Sequence, residues 1–168
     1  MSLVPITDER LFFVLLRSDE FPLAREIVEF VEEGVYFEED PEFMPSLDEL
    51  GDVPLEQLAI VFDADRPPVI ITRCNAAELE QTLREVKTLL ETMPDEPNER
   101  INTALETLPG SRHLVRFSVD AETLTEEAWA MLDSLEAHLA RTYRGLIYAQ
   151  GDGVFDADLQ PIHRRRPK

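Results

Sequence analysis

Leu11-Phe12-Phe13-Val14-Leu15-Leu16 is the longest apolar run in the chain. It is about a third of the length a membrane-spanning helix needs, and it matches the length of one strand. The run therefore points to a globular core built around a buried β-strand that ends at Arg17. With 168 residues and a hydrophobic fraction of 43%, one domain can bury such a core without disulfide or metal staples. The first residues lack a basic region followed by a long apolar stretch, so no secretory signal is expected.

Switches of hydrophobic period mark the elements that follow. Pro22 suits the first turn of a helix. Leu23, Ile27, Phe30 and Val31 then recur at helical spacing, with a stop at Gly34. Leu58–Phe62 and Val69–Thr72 are β-rich runs on either side of Asp63–Pro68 and predict a hairpin. Asn75 with Glu78 forms a capping-box start, and Leu79, Leu83, Val86, Leu90 and Met93 make one apolar stripe. A polar break from Pro94 to Glu99 leads to a short helix, roughly Glu99 to Leu108, closed by Pro109-Gly110. His113–Val119 alternates as a strand, with His113, Val115, Phe117 and Val119 on one face. Thr123 with Glu126 suggests a second capping box, for a helix carrying Ala128, Leu132, Leu135, Leu139 and Tyr143 on its apolar side. Trp129, Phe117 and Phe155 read as core rather than as ligand-stacking residues. Gly145–Ala149, a turn at Gln150–Gly153 and the short return Val154-Phe155 complete the pattern.

The order is β-α-loop-β-β-α followed by β-α-β-β, so each half holds a β-α-β-β unit. The expected class is α+β, an antiparallel-rich sheet with helices on one face. A ferredoxin-like module with an α-β-β extension is the alternative arrangement. One domain over residues 1–162 is expected, with 163–168 as a basic, disordered tail.

Charge narrows the function. The net charge is −19, with 35 acidic against 16 basic residues, so phosphate backbones and anionic membrane surfaces are disfavoured partners. The acids are concentrated. No Lys, Arg or His lies between Arg25 and Arg66, and residues 26–65 hold 14 acids in 40 positions. Residues 34–57 contain Gly34, Pro41, Pro45, Gly51 and Pro54 and read as a long ordered loop with a short helix near Ser46–Leu50. There Tyr36, Phe37 and Phe43 are interleaved with Glu38, Glu39, Asp40 and Glu42. Acids among aromatics suit docking on a basic, partly apolar protein surface, or on a second copy of the chain. The competing reading is a solvated acidic loop whose aromatics fold onto the core. Solubility and adaptation to salt also produce acidity.

The pentapeptide Val-Phe-Asp-Ala-Asp occurs twice, at 61–65 and 154–158. Asp63, Asp65, Asp156 and Asp158 would be hard oxygen ligands for Ca²⁺ or Mg²⁺ if pseudo-symmetry brought the copies together. The simpler reading is a strand that ends in a turn capped by Asp. The ligand spacing of a calcium-binding loop is absent, which favours the turn. The repeat also hints at an internal duplication.

Cys74 is the sole cysteine, which excludes an intramolecular disulfide and fits a reducing cytosol. It precedes a predicted helix N-terminus, a place that lowers thiol pKa values. No His stands in a nucleophile-base motif with it. Zinc spacing, a Gly-rich phosphate loop, G-x-S-x-G and H-E-x-x-H are all absent. The expected function is therefore that of a cytosolic, non-enzymatic binding domain using Tyr36, Phe37, Glu38, Glu39, Asp40, Glu42 and Phe43. No resident cofactor is expected. The alternative is a small divalent-metal protein or enzyme using the four Asp residues of the repeat.

Overall fold

A computed structural model of the chain describes residues 3–92 and 99–164. Strand β1 (Glu9–Leu16) holds the apolar run and is followed by α1 (Ala24–Gly34). The acidic segment then forms β2 (Glu42–Met44) and α2 (Leu47–Leu50). The hairpin is β3 (Gln57–Val61) with β4 (Val69–Arg73), and α3 (Ala76–Glu91) and α4 (Glu99–Thr107) follow. The second half is β5 (His113–Asp120), α5 (Glu126–Tyr143), β6 (Gly145–Ala149), β7 (Gly153–Phe155) and β8 (Pro161–Arg164).

All eight strands form one sheet in the order β2-β3-β4-β5-β1-β6-β7-β8, with every neighbouring pair antiparallel. The α+β class and the antiparallel sheet are as expected. The placement of the helices differs. Phe12, Val14 and Leu16 of β1 pack under Ile27, Val28 and Val31 of α1 and Leu132, Leu135 and Leu139 of α5. Phe13 and Leu15 pack on the opposite face, against Val86 and Leu90 of α3 and Ile101, Ala104 and Leu108 around α4. Helices therefore cover both faces rather than one. The physical reason is in β1 itself, where consecutive apolar side chains point to opposite faces and both need cover.

The ferredoxin-like alternative does not form either. A split β-α-β sets its two strands on either side of a single third strand. Here β4 and β5 both lie between β1 and β3, and α3 and α4 join β4 to its direct neighbour β5.

Helix boundaries show what local chemistry decides. Asn75 caps α3 as expected: its side chain accepts from the Glu78 N–H at 2.8 Å, and the Glu78 carboxylate accepts the Asn75 N–H. Val86 and Leu90 of the stripe are buried, while Met93 and the break at 94–98 lie outside the described residues. The cap of α5 is Thr125, whose Oγ1 accepts from the Ala128 N–H at 3.2 Å, rather than Thr123. Helix α1 stops at Gly34 as expected, although the left-handed residue is the one after it. Val35 takes the left-handed conformation at φ 48°, and Gly34 is needed for space, because the Tyr36 ring lies where a Cβ would stand.

Two short strands are absent from the local pattern. Strand β2 sits between Pro41 and Pro45 and pairs with β3 through Phe43↔Ile60. Strand β8 pairs with β7 and carries the sheet through Arg164, two residues into the stretch expected to be a tail. Residues 165–168 lie outside the described residues.

Candidate functional site

Strand directions place the acidic elements. β1 runs from Glu9 to Leu16, and Asp120 at the end of β5 lies beside Glu9. The end of β3, the end of α1 and the start of α5 all gather at that Glu9–Asp120 end of the sheet. They enclose an open cleft of about 540 Å³ lined by Phe37, Glu38, Glu39, Asp40, Glu42, Phe62, Asp63, Asp65 and Glu127, among others. Two features that the sequence treated separately, the acidic-aromatic loop and the first pentapeptide, thus meet in one place.

The aromatics of the loop fold inward. Phe37 stacks on Phe62 with ring centroids 5.8 Å apart, and Tyr36, Phe37, Phe43 and Phe62 all pack against the core under α1 and α5. Tyr36 covers Gly34, and Phe43 shares the face of Ile60 in the β2–β3 pair, so neither lines the cleft. Glu38, Glu39, Asp40 and Glu42 remain exposed around the half-buried Phe37. The expected contact set divides into an acidic rim, one apolar floor residue and two anchoring aromatics. No basic side chain lines the cleft among the described residues. The nearest cation of the hairpin, Arg66, is turned onto Asp63 at 3.3 Å and donates to the Thr123 carbonyl at 2.6 Å. It ties the β3–β4 turn to the approach of α5 and leaves the rim negative.

The second pentapeptide lies elsewhere. Strands β3 and β7 are five places apart, about 24 Å across the sheet. They run in opposite directions, so the copies leave the sheet at opposite ends. Asp63 and Asp65 do not converge with Asp156 and Asp158, and no group of three or more His, Cys, Asp or Glu among the described residues is arranged to hold a metal ion.

What the copies share is a turn. Asp63 Oδ1 accepts the Asp65 N–H at 2.9 Å, and Asp156 Oδ1 accepts the Asp158 N–H at 2.9 Å. Asp156 also accepts the Gln160 N–H at 3.0 Å and pairs with Arg100, while Asp158 pairs with Arg141 at 3.3 Å. The first Asp of each copy replaces a backbone acceptor and closes the turn. In strand order and direction, a two-fold through the β5–β1 pair exchanges β3 with β7. The same operation exchanges β4 with β6, which a tandem duplication of β-α-β-β units would not do.

The thiol is not activated. Cys74 is pushed up to about 12, first by burial and then by the charge and hydrogen bond of Glu78, against a smaller opposing effect of Arg116. The adjacent helix N-terminus does not prevail against burial and the charge of the capping-box carboxylate. His138 is half-buried in the seam of α1 and α5, stacked on Phe30 at 4.5 Å and 3.8 Å from Glu26.

No helix among the described residues is long and apolar enough to cross a membrane. Comparison of the chain with family models, with curated proteins and with solved structures finds no match.

Proposed function

We propose that the protein is a cytosolic, non-enzymatic binding domain whose acidic cleft receives a basic segment of another protein. The observation that supports this reading is the cleft itself. Carboxylates from the segment after α1, from the β3–β4 turn and from the start of α5 face one opening, with Phe37 and Phe62 as its apolar floor. Of these carboxylates Asp63 is paired with Arg66; like charges on separate elements repel one another, and a cationic partner relieves that repulsion while the aromatic pair supplies apolar contact.

The test is charge reversal at Glu38→Lys, Glu39→Lys and Asp40→Lys together. These side chains are exposed, so the fold should tolerate the change. The parent should capture basic proteins from lysate with an association rate that falls steeply with salt. The reversed variant should lose that set and its salt dependence. An unchanged partner set would defeat the proposal. Sedimentation of the purified chain distinguishes a second copy as the partner, since the same reversal would then dissolve an oligomer.

A further inference from the structure

The two long helices on the α1/α5 face do not cover all eight strands. α1 and α5 lie over the middle of the sheet and leave the β7 side of α5 open. A second cleft of about 310 Å³ runs there, between α5 and strands β1, β6 and β7. Trp129, Asp133 and Glu136 recur at i, i+4 and i+7 on α5 and form one wall. Phe12, Ile147, Ala149 and Phe155 form the floor.

Glu136 is the unusual member. It is only 2% exposed, and its Oε1 finds no hydrogen-bond partner in the protein. Among the described residues it is the one carboxylate with a buried, unpartnered oxygen. A buried acceptor left unpaired is disfavoured, and a buried carboxylate more so. Asp133 stands one turn away and adds like charge. Arg10 does not answer it, because its guanidinium is held by Asp152 at 2.9 Å and lies over the Phe12 ring at 5.6 Å. The aromatic wall is ordered, with Phe12 and Trp129 edge to face at 5.7 Å.

We propose that this cleft binds a small organic cation of the primary-amine class, with the carboxyl groups of Glu136 and Asp133 at one end and Trp129, Phe12 and Phe155 as its apolar wall. An ammonium group favours the ionised form of Glu136, supplies the donor that its Oε1 lacks and stands between the two carboxyl groups. Its short alkyl part makes apolar contact with the aromatic side chains. A volume of about 310 Å³ is at the small end of ligand sites and suits a few heavy atoms. The site is separate from the acidic cleft and does not depend on the reading given for it.

Trp129 is the only tryptophan and reports on the cleft directly. The probe is 1,4-diaminobutane, titrated at about 0.15 M salt to suppress diffuse attraction to an acidic surface, with 1,4-butanediol as the neutral control. The diamine should change Trp129 fluorescence saturably, and the diol should not. Glu136→Gln should weaken the diamine roughly tenfold or more, as loss of a charge-assisted hydrogen bond does. Asp133→Asn, at an exposed position, should weaken it by a smaller factor. Lysine at 38, 39 and 40 should leave it unchanged. An equal response to the diol, a folded Glu136→Gln variant that titrates like the parent, or loss of the response on reversal at 38–40 would overturn the proposal. If Glu136→Gln does not fold, unchanged affinity in Asp133→Asn does so instead.

Discussion

Glu136→Met is expected to stabilise the protein. Methionine has a similar length, adapts to irregular space and carries no group that requires a partner. In the parent, the Glu136 side chain lies on the buried stripe of α5 with Oε1 unpaired. Leaving such a group unsatisfied costs about 1–3 kcal/mol, so its replacement should return about that much at neutral pH. For a chain of this size that is a rise of about 2–4 °C in Tm per kcal/mol. The pH dependence gives a sharper check. Burial, and secondarily the charge of Asp133, raises the folded-state pKa of Glu136 well above 4.5. Below the unfolded pKa both states hold the proton and the group contributes no pH dependence. Above it the unfolded chain ionises while the native state retains the proton, so parent stability falls as pH rises toward the folded pKa. The gap between variant and parent should therefore be small in acid and widen with pH, by at most about 1.4 kcal/mol per unit. Asp133 on the same helix, whose carboxyl is also raised by burial, contributes the same sign in both proteins and largely cancels. The Arg10–Asp152 pair on the facing strand and turn is common to both. Urea unfolding followed by far-UV circular dichroism from pH 4.5 to 8 measures the gap. A variant less stable than the parent at pH 7, or a gap that does not change with pH, would refute the reasoning.

Three further outcomes are expected. Val35→Gly should raise stability by about 1 kcal/mol, because a β-branched residue at φ 48° is strained and Val35, at 78% exposure, has little packing to lose; thermal unfolding measures it. Asp63→Ala and Asp156→Ala should each lower stability by about 1 kcal/mol through loss of the turn-closing hydrogen bond, with the larger loss at Asp156, which also holds the Gln160 N–H and Arg100; paired denaturant curves rank them. Cys74 should alkylate slowly at pH 8 in the native state, since burial and Glu78 hold its proton to about 12, and Glu78→Gln should speed the reaction by removing the nearby charge; mass spectrometry of iodoacetamide adducts follows both rates.

The elements of the chain were mostly legible because each has a local cause. Asn75 and Glu78 announce α3, and the stripe Leu79, Leu83, Val86, Leu90 orients it. Alternation along His113–Val119 assigns Val115, Phe117 and Val119 to one face, where they are found. The Asp-Ala-Asp turns follow from a side chain bonding its own backbone two residues on. Strands β2 and β8 escaped because three or four residues, bounded or begun by proline, carry no period of their own and exist only as partners of β3 and β7. The cover on both faces did leave a mark. An unbroken run such as Leu11–Leu16 is apolar on both sides of its strand, whereas a sheet open to water on one face alternates.

The tertiary structure alone decided which elements meet. β5 lies beside β1 through pairings about a hundred residues apart in sequence, such as Glu9↔Asp120, and nothing in either strand names the other. That pairing sends the two pentapeptides to opposite ends of the sheet and brings the first one to the acidic loop. It also sets Glu136 over β1 and β6, where a carboxylate that reads as one more surface charge is buried against Trp129 and left unpaired. Periodicity and capping are local properties of the chain, fixed within a few residues. Burial and electrostatic environment belong to the assembled sheet, because they depend on which distant side chains remove the water.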